Sequence, residues 1–395
     1  MTDLLSLSPD VAWSLAVVIA WIAGEFGARW TGLPRISIYG LVGFALAHTQ
    51  MGFLPSREYG SMLFLANIAF GLILFELGYR INLRWLRTNP WIGVTGLVES
   101  IGTFIVVYCI AGWYGTSSLN ALLLASLAMS TSPAGILRVI NEQRSSGQVT
   151  ERILHLSAIN CVLAVFIFKV IVAFSVFKSS GNLWEAASGG LSVLFISAIL
   201  GAIFGLLIPS IMRRLGNLTQ DGTVAFALAV ILLVAVTHAA KLSPVLATLT
   251  FGMVARHRRI SFSQTQRNFG ALGELLTVLL FVFVVATLEW QKVWAGASLG
   301  LLLIAARLFT KTIGVAAFAH VSGVSWHKGL LTGLALAPIS VFVILVLEQA
   351  KYLGIEFVDE LAALAAMTLF MEILGPVITQ RALIWAKETP HKEGS

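Results

Sequence analysis

The chain has 395 residues, of which 57% are hydrophobic and only 11% charged, with a mean hydropathy of +0.88. A soluble domain cannot hide that much apolar surface, and apolar runs of about 20 residues, each long enough to cross ~30 Å of hydrocarbon, recur along the chain. The net charge of +7 therefore reports topology rather than nucleic-acid binding, because polytopic chains keep Lys and Arg in their inside loops.

Taken in order, the apolar segments predict an all-α polytopic membrane protein of about thirteen spans, at 11–30, 34–51, 59–79, 91–113, 119–141, 152–177, 187–212, 221–240, 243–257, 268–288, 293–319, 327–349 and 360–380. Met1 to Asp10 has no basic stretch of the kind that opens a cleavable signal peptide, so the first span is expected to be retained. Basic residues test the count. Loops after odd-numbered spans, with the tail, carry 18 of the 26 Lys and Arg, while the opposite loops carry only Arg57, Lys178, Lys241, Lys292 and Lys351. So lopsided a split predicts an N-terminus outside and a C-terminus in the cytoplasm of a cell (inner) membrane.

The fifth span is interrupted by Ser130-Thr-Ser-Pro-Ala-Gly135, and the twelfth by Pro338 within Leu330 to Phe342. A proline inside a membrane-length helix frees backbone groups that must find partners in protein or in a polar cavity. The two broken segments lie seven spans apart. If spans one to six (about 11–177) and eight to thirteen (about 221–380) are repeats joined by span seven (about 187–212), the second repeat starts from the opposite side. That is an inverted six-plus-six repeat with two discontinuous crossing helices, built around Pro133 and Pro338, and it points to a transport site near the midplane. The alternative is coincidence, since membrane helices tolerate proline. The segment 381–395 is short and charged, so the chain is expected to form one transporter domain without a soluble regulatory domain.

Ionisable groups inside spans are functional suspects because hydrocarbon penalises them. The most interior acids are Glu76, Glu99 and Glu372; the most interior bases are Lys169, Arg307 and Lys311. Arg307 and Lys311 are four residues apart and share a helix face. Lys311 could trade its proton against a cation, whereas Arg307 stays protonated. Equally, both could be structural, pairing with carboxylates or capping carbonyls of the broken helices. Glu76 has Arg80 four residues on, the spacing of a helical ion pair. Glu99 has no motif around it. Glu372 is expected to partner Lys169, Arg307 or Lys311. His238, His257, His320 and His327 lie at span ends without metal-ligand spacing, and Cys109 and Cys161 suggest neither a disulfide framework nor a metal cluster.

Several segments together resemble the monovalent cation:proton antiporter superfamily of sodium/proton exchanger type. They are Leu33-Pro34 with Tyr39-Gly-Leu-Val-Gly43, Leu74-Phe-Glu-Leu-Gly-Tyr-Arg80, Ser130 to Gly135, Glu151-Arg152 with Ala158-Ile-Asn-Cys-Val-Leu163, Leu336-Ala-Pro338 and Glu372-Ile-Leu-Gly-Pro376. The match runs in order over nearly the whole chain. The resemblance implies crossing broken helices, a homodimer, a core domain that slides against a dimerisation domain, and an ion site on span six. It also implies transported H+ and Na+ or K+, with no cofactor, no nucleic-acid partner and no enzymatic activity.

On span six the family carries Asn-Asp or Asp-Asp, with the second Asp alternating between cation and proton. Here the pair is Asn160-Cys161, and Ser132 stands where many relatives place Asp. Alkali cations are hard and want oxygen; sulfur is a poor substitute. Thr131, Ser132, Asn160 and backbone carbonyls are left as candidate ligands, beside a Cys161 that is either a small apolar filler or a group that titrates. Three functions follow. The first is a monovalent cation/proton antiporter with a rearranged site, with Asn160, Thr131 and Ser132 as ligands and Lys311 or Glu372 for charge exchange, using alternating access of the elevator kind. The second is a carrier for an anion or neutral solute, since helix N-termini and three bases without the Asp tilt the site positive. The third is a non-transporting sensor or partner subunit.

Overall fold

Without water to satisfy backbone groups, a chain this apolar has to close its hydrogen bonds within each segment, and helices do so. The computed structural model describes residues 9–55, 60–180, 183–215, 222–258, 269–345 and 362–390, and these are helical with no strand among them. The elements are α1 (Pro9–Thr31), α2 (Arg35–Leu46), α3 (Gly60–Arg80), α4 (Leu83–Thr88), α5 (Trp91–Trp113), α6 (Ser118–Ala128), α7 (Pro133–Gln143), α8 (Gln148–Ser180), α9 (Leu183–Leu215), α10 (Gly222–Ala239), α11 (Pro244–His257), α12 (Gly270–Ala286), α13 (Trp290–Ala295), α14 (Ala297–Ala317), α15 (Trp326–Ala335) and α16 (Ala362–Trp385). Among the described residues nine helical segments are long and apolar enough to cross a membrane, counting α6 and α7 together. Spans two, nine, ten and twelve of the sequence reading fall on the shorter helices α2, α11, α12 and α15. The second half of span twelve, from 346, lies outside the described residues.

Two bundles make up the molecule. In one, α3 and α11 form the tightest pair, joined by α1, α2, α9, α10 and α12. The α3–α11 crossing needs glycine: a methyl on Gly78 would overlap the backbone of Leu249, and one on Gly252 that of Phe75. Beside it Phe75 packs on Phe251 with ring centroids 4.7 Å apart. The other bundle holds α5 to α8 and α14 to α16, with α13 at its edge. The bundles meet along a seam where α2 lies on α16, α3 on α7, and α11 on α8.

The second bundle is closed at one end by a strap from the chain's end. The carboxylate of Glu388 accepts the backbone N–H groups of Val149 and Thr150, both at 2.8 Å, and the Thr150 hydroxyl at 2.9 Å. These are orphan donors in the first turn of α8, and a carboxylate is well matched to that positive end.

Candidate functional site

Both prolines break their helices. After α6 ends, Ser130 to Ser132 are non-helical, and α7 restarts with Pro133 in its first turn, where a missing N–H costs nothing. Ser132 is the N-cap: its Oγ accepts the Gly135 N–H at 3.1 Å. After α15, residues 336–341 are non-helical and a helical turn resumes at 342. The two breaks touch. The backbone N–H of Ser132 donates to the carbonyl of Pro338 at 2.9 Å, and a Cβ on Gly135 would meet the Pro338 ring at 3.3 Å. Gly375 of α16 backs onto the same proline so closely that a Cβ there would come within 2.7 Å of Pro338 Cα.

Asn160 and Cys161, midway along α8, face this crossing. Ser100 donates to Asn160 Oδ1 at 2.8 Å, and Asn160 Nδ2 donates to Thr131 Oγ1 at 3.0 Å. The Cys161 thiol lies 3.2 Å from the Thr131 carbonyl oxygen and 3.7 Å from Ser340 Oγ. Thr131, Ser132, Asn160, Cys161 and Ser340 are all buried. The crossing is thus a dry knot of neutral oxygens and one thiol, held by polar contacts among four helical segments.

Its charge lies one helix away, on α14. Arg307 has no exposed surface. Its Nε donates to the carbonyl of Ala128 at 2.7 Å, its Nη2 to Ser130 at 2.7 Å and to Leu336 and Pro338 at 3.2 Å, and its Nη1 to Ala337. One guanidinium therefore caps the C-terminal ends of both α6 and α15. A broken helix exposes carbonyls and the negative end of its dipole there, and a planar cation with five donors suits that task. Of the roles open to Arg307 in the sequence, carbonyl capping is the one its contacts fit. One turn on, Lys311 Nζ donates to Glu99 Oε2 at 2.9 Å, with both side chains fully buried.

Glu372 differs from expectation. It pairs with none of Lys169, Arg307 or Lys311: Arg307 is spent on carbonyls, Lys311 on Glu99, and Glu372 Oε1 is buried without a hydrogen-bond partner. Lys169 is half-buried on α8 and has no ion-pair partner among the described residues. Glu76 pairs with Arg80 at 2.8 Å, and Asn141 of α7 donates to the same Glu76 oxygen at 3.1 Å, so that network ties α3 to α7 across the seam. Sequence reasoning passed over Ser100 and Ser340 and named Glu99 without a partner. Glu99 was visible as an acid deep in its span, but its partner sits 212 residues away, and no local pattern records that.

Two buried helix breaks in mutual contact, with a cation on their carbonyl ends, define a membrane carrier of the discontinuous-helix class. The chain belongs to the sodium/hydrogen exchanger transmembrane family, whose model matches residues 14–385. It is therefore a multi-pass membrane transporter and not an enzyme. It is 22% identical over 378 residues to a protein described as iron transporter MagA from Paramagnetospirillum magneticum, covering 91% of this chain and 83% of that one. Its fold is similar to that of the sodium proton antiporter MjNhaP1 from Methanocaldococcus jannaschii, with a TM-score of 0.67, 16% identity and 94% of each chain covered.

Proposed function

We propose that the chain exchanges a monovalent cation, Na+ or K+, for protons across a cell membrane, with the cation held at the crossing by Thr131, Ser132, Asn160 and adjacent carbonyls. The observation that carries this is the contact of Ser132 with Pro338 beside Asn160 and Cys161, because a pair of touching breaks leaves oxygen dipoles at mid-membrane that a desolvated cation can use. Arg307 neutralises the carbonyl ends, so the site does not depend on an Asp at position 161 to hold its shape. The two bundles and their polar seam support alternating access by sliding of one against the other. Three of the molecule's cavities, of about 250, 340 and 280 Å³, are lined by Arg84 and Arg256, by Arg80 and Arg144, and by Arg35 and Arg138. Those arginines belong to the loops and span ends that the charge bias assigns to the cytoplasm; no crossing residue lines these three cavities. The half-chain pseudo-symmetry and a homodimer belong to the same reading.

A second reading rests on one observation: among the described residues the crossing holds Arg307 but no carboxylate of its own, which favours an anion or a neutral solute. The name of the relative from Paramagnetospirillum adds iron to the substrates worth testing. Transport in proteoliposomes separates these readings: Na+, K+, Li+, Fe2+ and small anions are each presented against an internal pH dye. Dequenching by an alkali cation supports antiport; a response to anions alone selects the second reading; a pH-independent Fe2+ flux excludes proton antiport. A Cys161→Asp variant with tighter alkali-cation dependence would show that the family geometry is intact and only the central charge has gone.

A further inference from the structure

Antiport needs a group that gives up a proton when the cation binds, and the family position for it is Cys161 here. Glu372 stands in the eleventh position of the 24-residue α16, near mid-membrane, and is 2% exposed. Its Oε1 is buried without a partner, and so is the hydroxyl of Thr368, one turn earlier on the same face. Gly375, less than one turn further on, is the residue that touches Pro338. The carboxyl therefore lies about one helical turn, ~5 Å of rise, from the crossing.

The surroundings of Glu372 place it on the seam between the bundles. A Cβ on Gly40 of α2 would sit 3.7 Å from Glu372 Cγ and 3.5 Å from Val285 of α12, and the neighbouring Ser37 donates to the Ile373 carbonyl at 2.7 Å. Charged groups on the helices packed against α16 are committed elsewhere. On α14, Arg307 holds carbonyls and Lys311 holds Glu99. On α7, Arg138 donates to Thr277 and Glu142 faces Arg35 of α2. On α13, Lys292 pairs with Glu289, and on α15, Lys328 approaches Glu388. The ring of Tyr39, next to Gly40, lies over Gly24 of α1. Among the described residues Glu372 faces no counter-charge, and a buried carboxylate so placed is tolerated only as the neutral acid or when a cation arrives to balance it.

From this geometry we propose that Glu372 is the exchangeable proton site of the carrier, with Thr368 as its hydrogen-bonding neighbour, so that the acid absent from position 161 is supplied by α16. The proposal rests on the antiport reading. In the exchange, the Glu372 O–H bond breaks and its proton leaves to water on the open side. The resulting carboxylate is balanced by the cation at the crossing, and re-protonation on the other side expels that cation. One positive charge moves each way.

The test compares wild type with Glu372→Gln, a neutral isostere that breaks no ion pair, and with Glu372→Asp, which keeps the acid. Three readouts are cation-driven dequenching in proteoliposomes, tracer cation self-exchange, and the infrared band of a protonated carboxylic acid recorded against pH in detergent. The expected result is a loss of dequenching of at least tenfold in Glu372→Gln, with self-exchange falling alongside because the amide mimics the protonated acid, a titrating acid band absent from that variant, and both transport activities kept with a shifted pH profile in Glu372→Asp. Unchanged dequenching in Glu372→Gln overturns the proposal and leaves antiport standing. If wild type is silent under every gradient, the antiport reading fails, and the infrared experiment decides alone: a titrating band lost in Glu372→Gln keeps Glu372 as a proton site, and its absence in wild type overturns that too.

Discussion

The crossing and the arginine-rich rim handle charge in opposite ways. At the crossing each base has one dedicated solution: Arg307 lies on backbone carbonyls and Lys311 on a single carboxylate, all without exposure. At the rim Arg35 is shared by Glu25, Glu142 and Glu274 at 3.2, 3.8 and 3.5 Å, with its side chain 38% exposed. The difference teaches where substitution hurts. A dry ion has no substitute partner when its own is removed, whereas a half-wet ion has water and two further acids.

The largest effect is expected at Arg307. Arg307→Ala removes the cap from two helix ends at once and leaves buried carbonyls unsatisfied, each worth about 1–3 kcal/mol; the measurement is thermal unfolding in detergent, with transport abolished. Arg307→Lys is not a rescue, because a point charge cannot span both ends. Next comes the Lys311–Glu99 pair. Either Lys311→Met or Glu99→Leu alone leaves a buried unpaired charge, at a cost of about 3–5 kcal/mol, and the double variant should recover most of it. Failure of the double variant to recover would mean that the pair has a further partner at the crossing.

Glu388→Ala removes an N-cap from α8 and should cost about 1–2 kcal/mol while leaving ion selectivity unchanged. Smallest is Arg35→Ala, with about 0–1 kcal/mol of stability lost and its effect weakened by salt. A larger loss at Arg35 than at Lys311 would reverse the comparison between rim and core.

Much of this was legible in the sequence. Proline within membrane-length segments located both breaks to within a few residues, because a missing N–H and a clashing ring leave the helix no alternative. The i,i+4 spacing gave the Glu76–Arg80 contact for the same local reason. Glu99 was left without a partner and Glu372 was given the wrong ones because partner choice among buried charges is settled by which helices touch. Gly314 illustrates it: a Cβ there would lie 2.9 Å from Glu99 Cβ, so α14 and α5 approach closely enough for Lys311 to reach Glu99, and Glu372 is left on the far seam.

What the amino-acid order determined alone was the class of molecule: apolar length set the helices, proline set the interruptions, and the distribution of Lys and Arg set an expected orientation. All of these are short-range properties, readable within a few turns of chain. The tertiary structure decided which interruption meets which, that a single arginine closes both, and that Glu372, without an ion-pair partner among the described residues, lies on α16 where the two bundles meet. Those outcomes depend on contacts between residues hundreds of positions apart, where packing and the cost of a bare charge in a dry interior choose the partner.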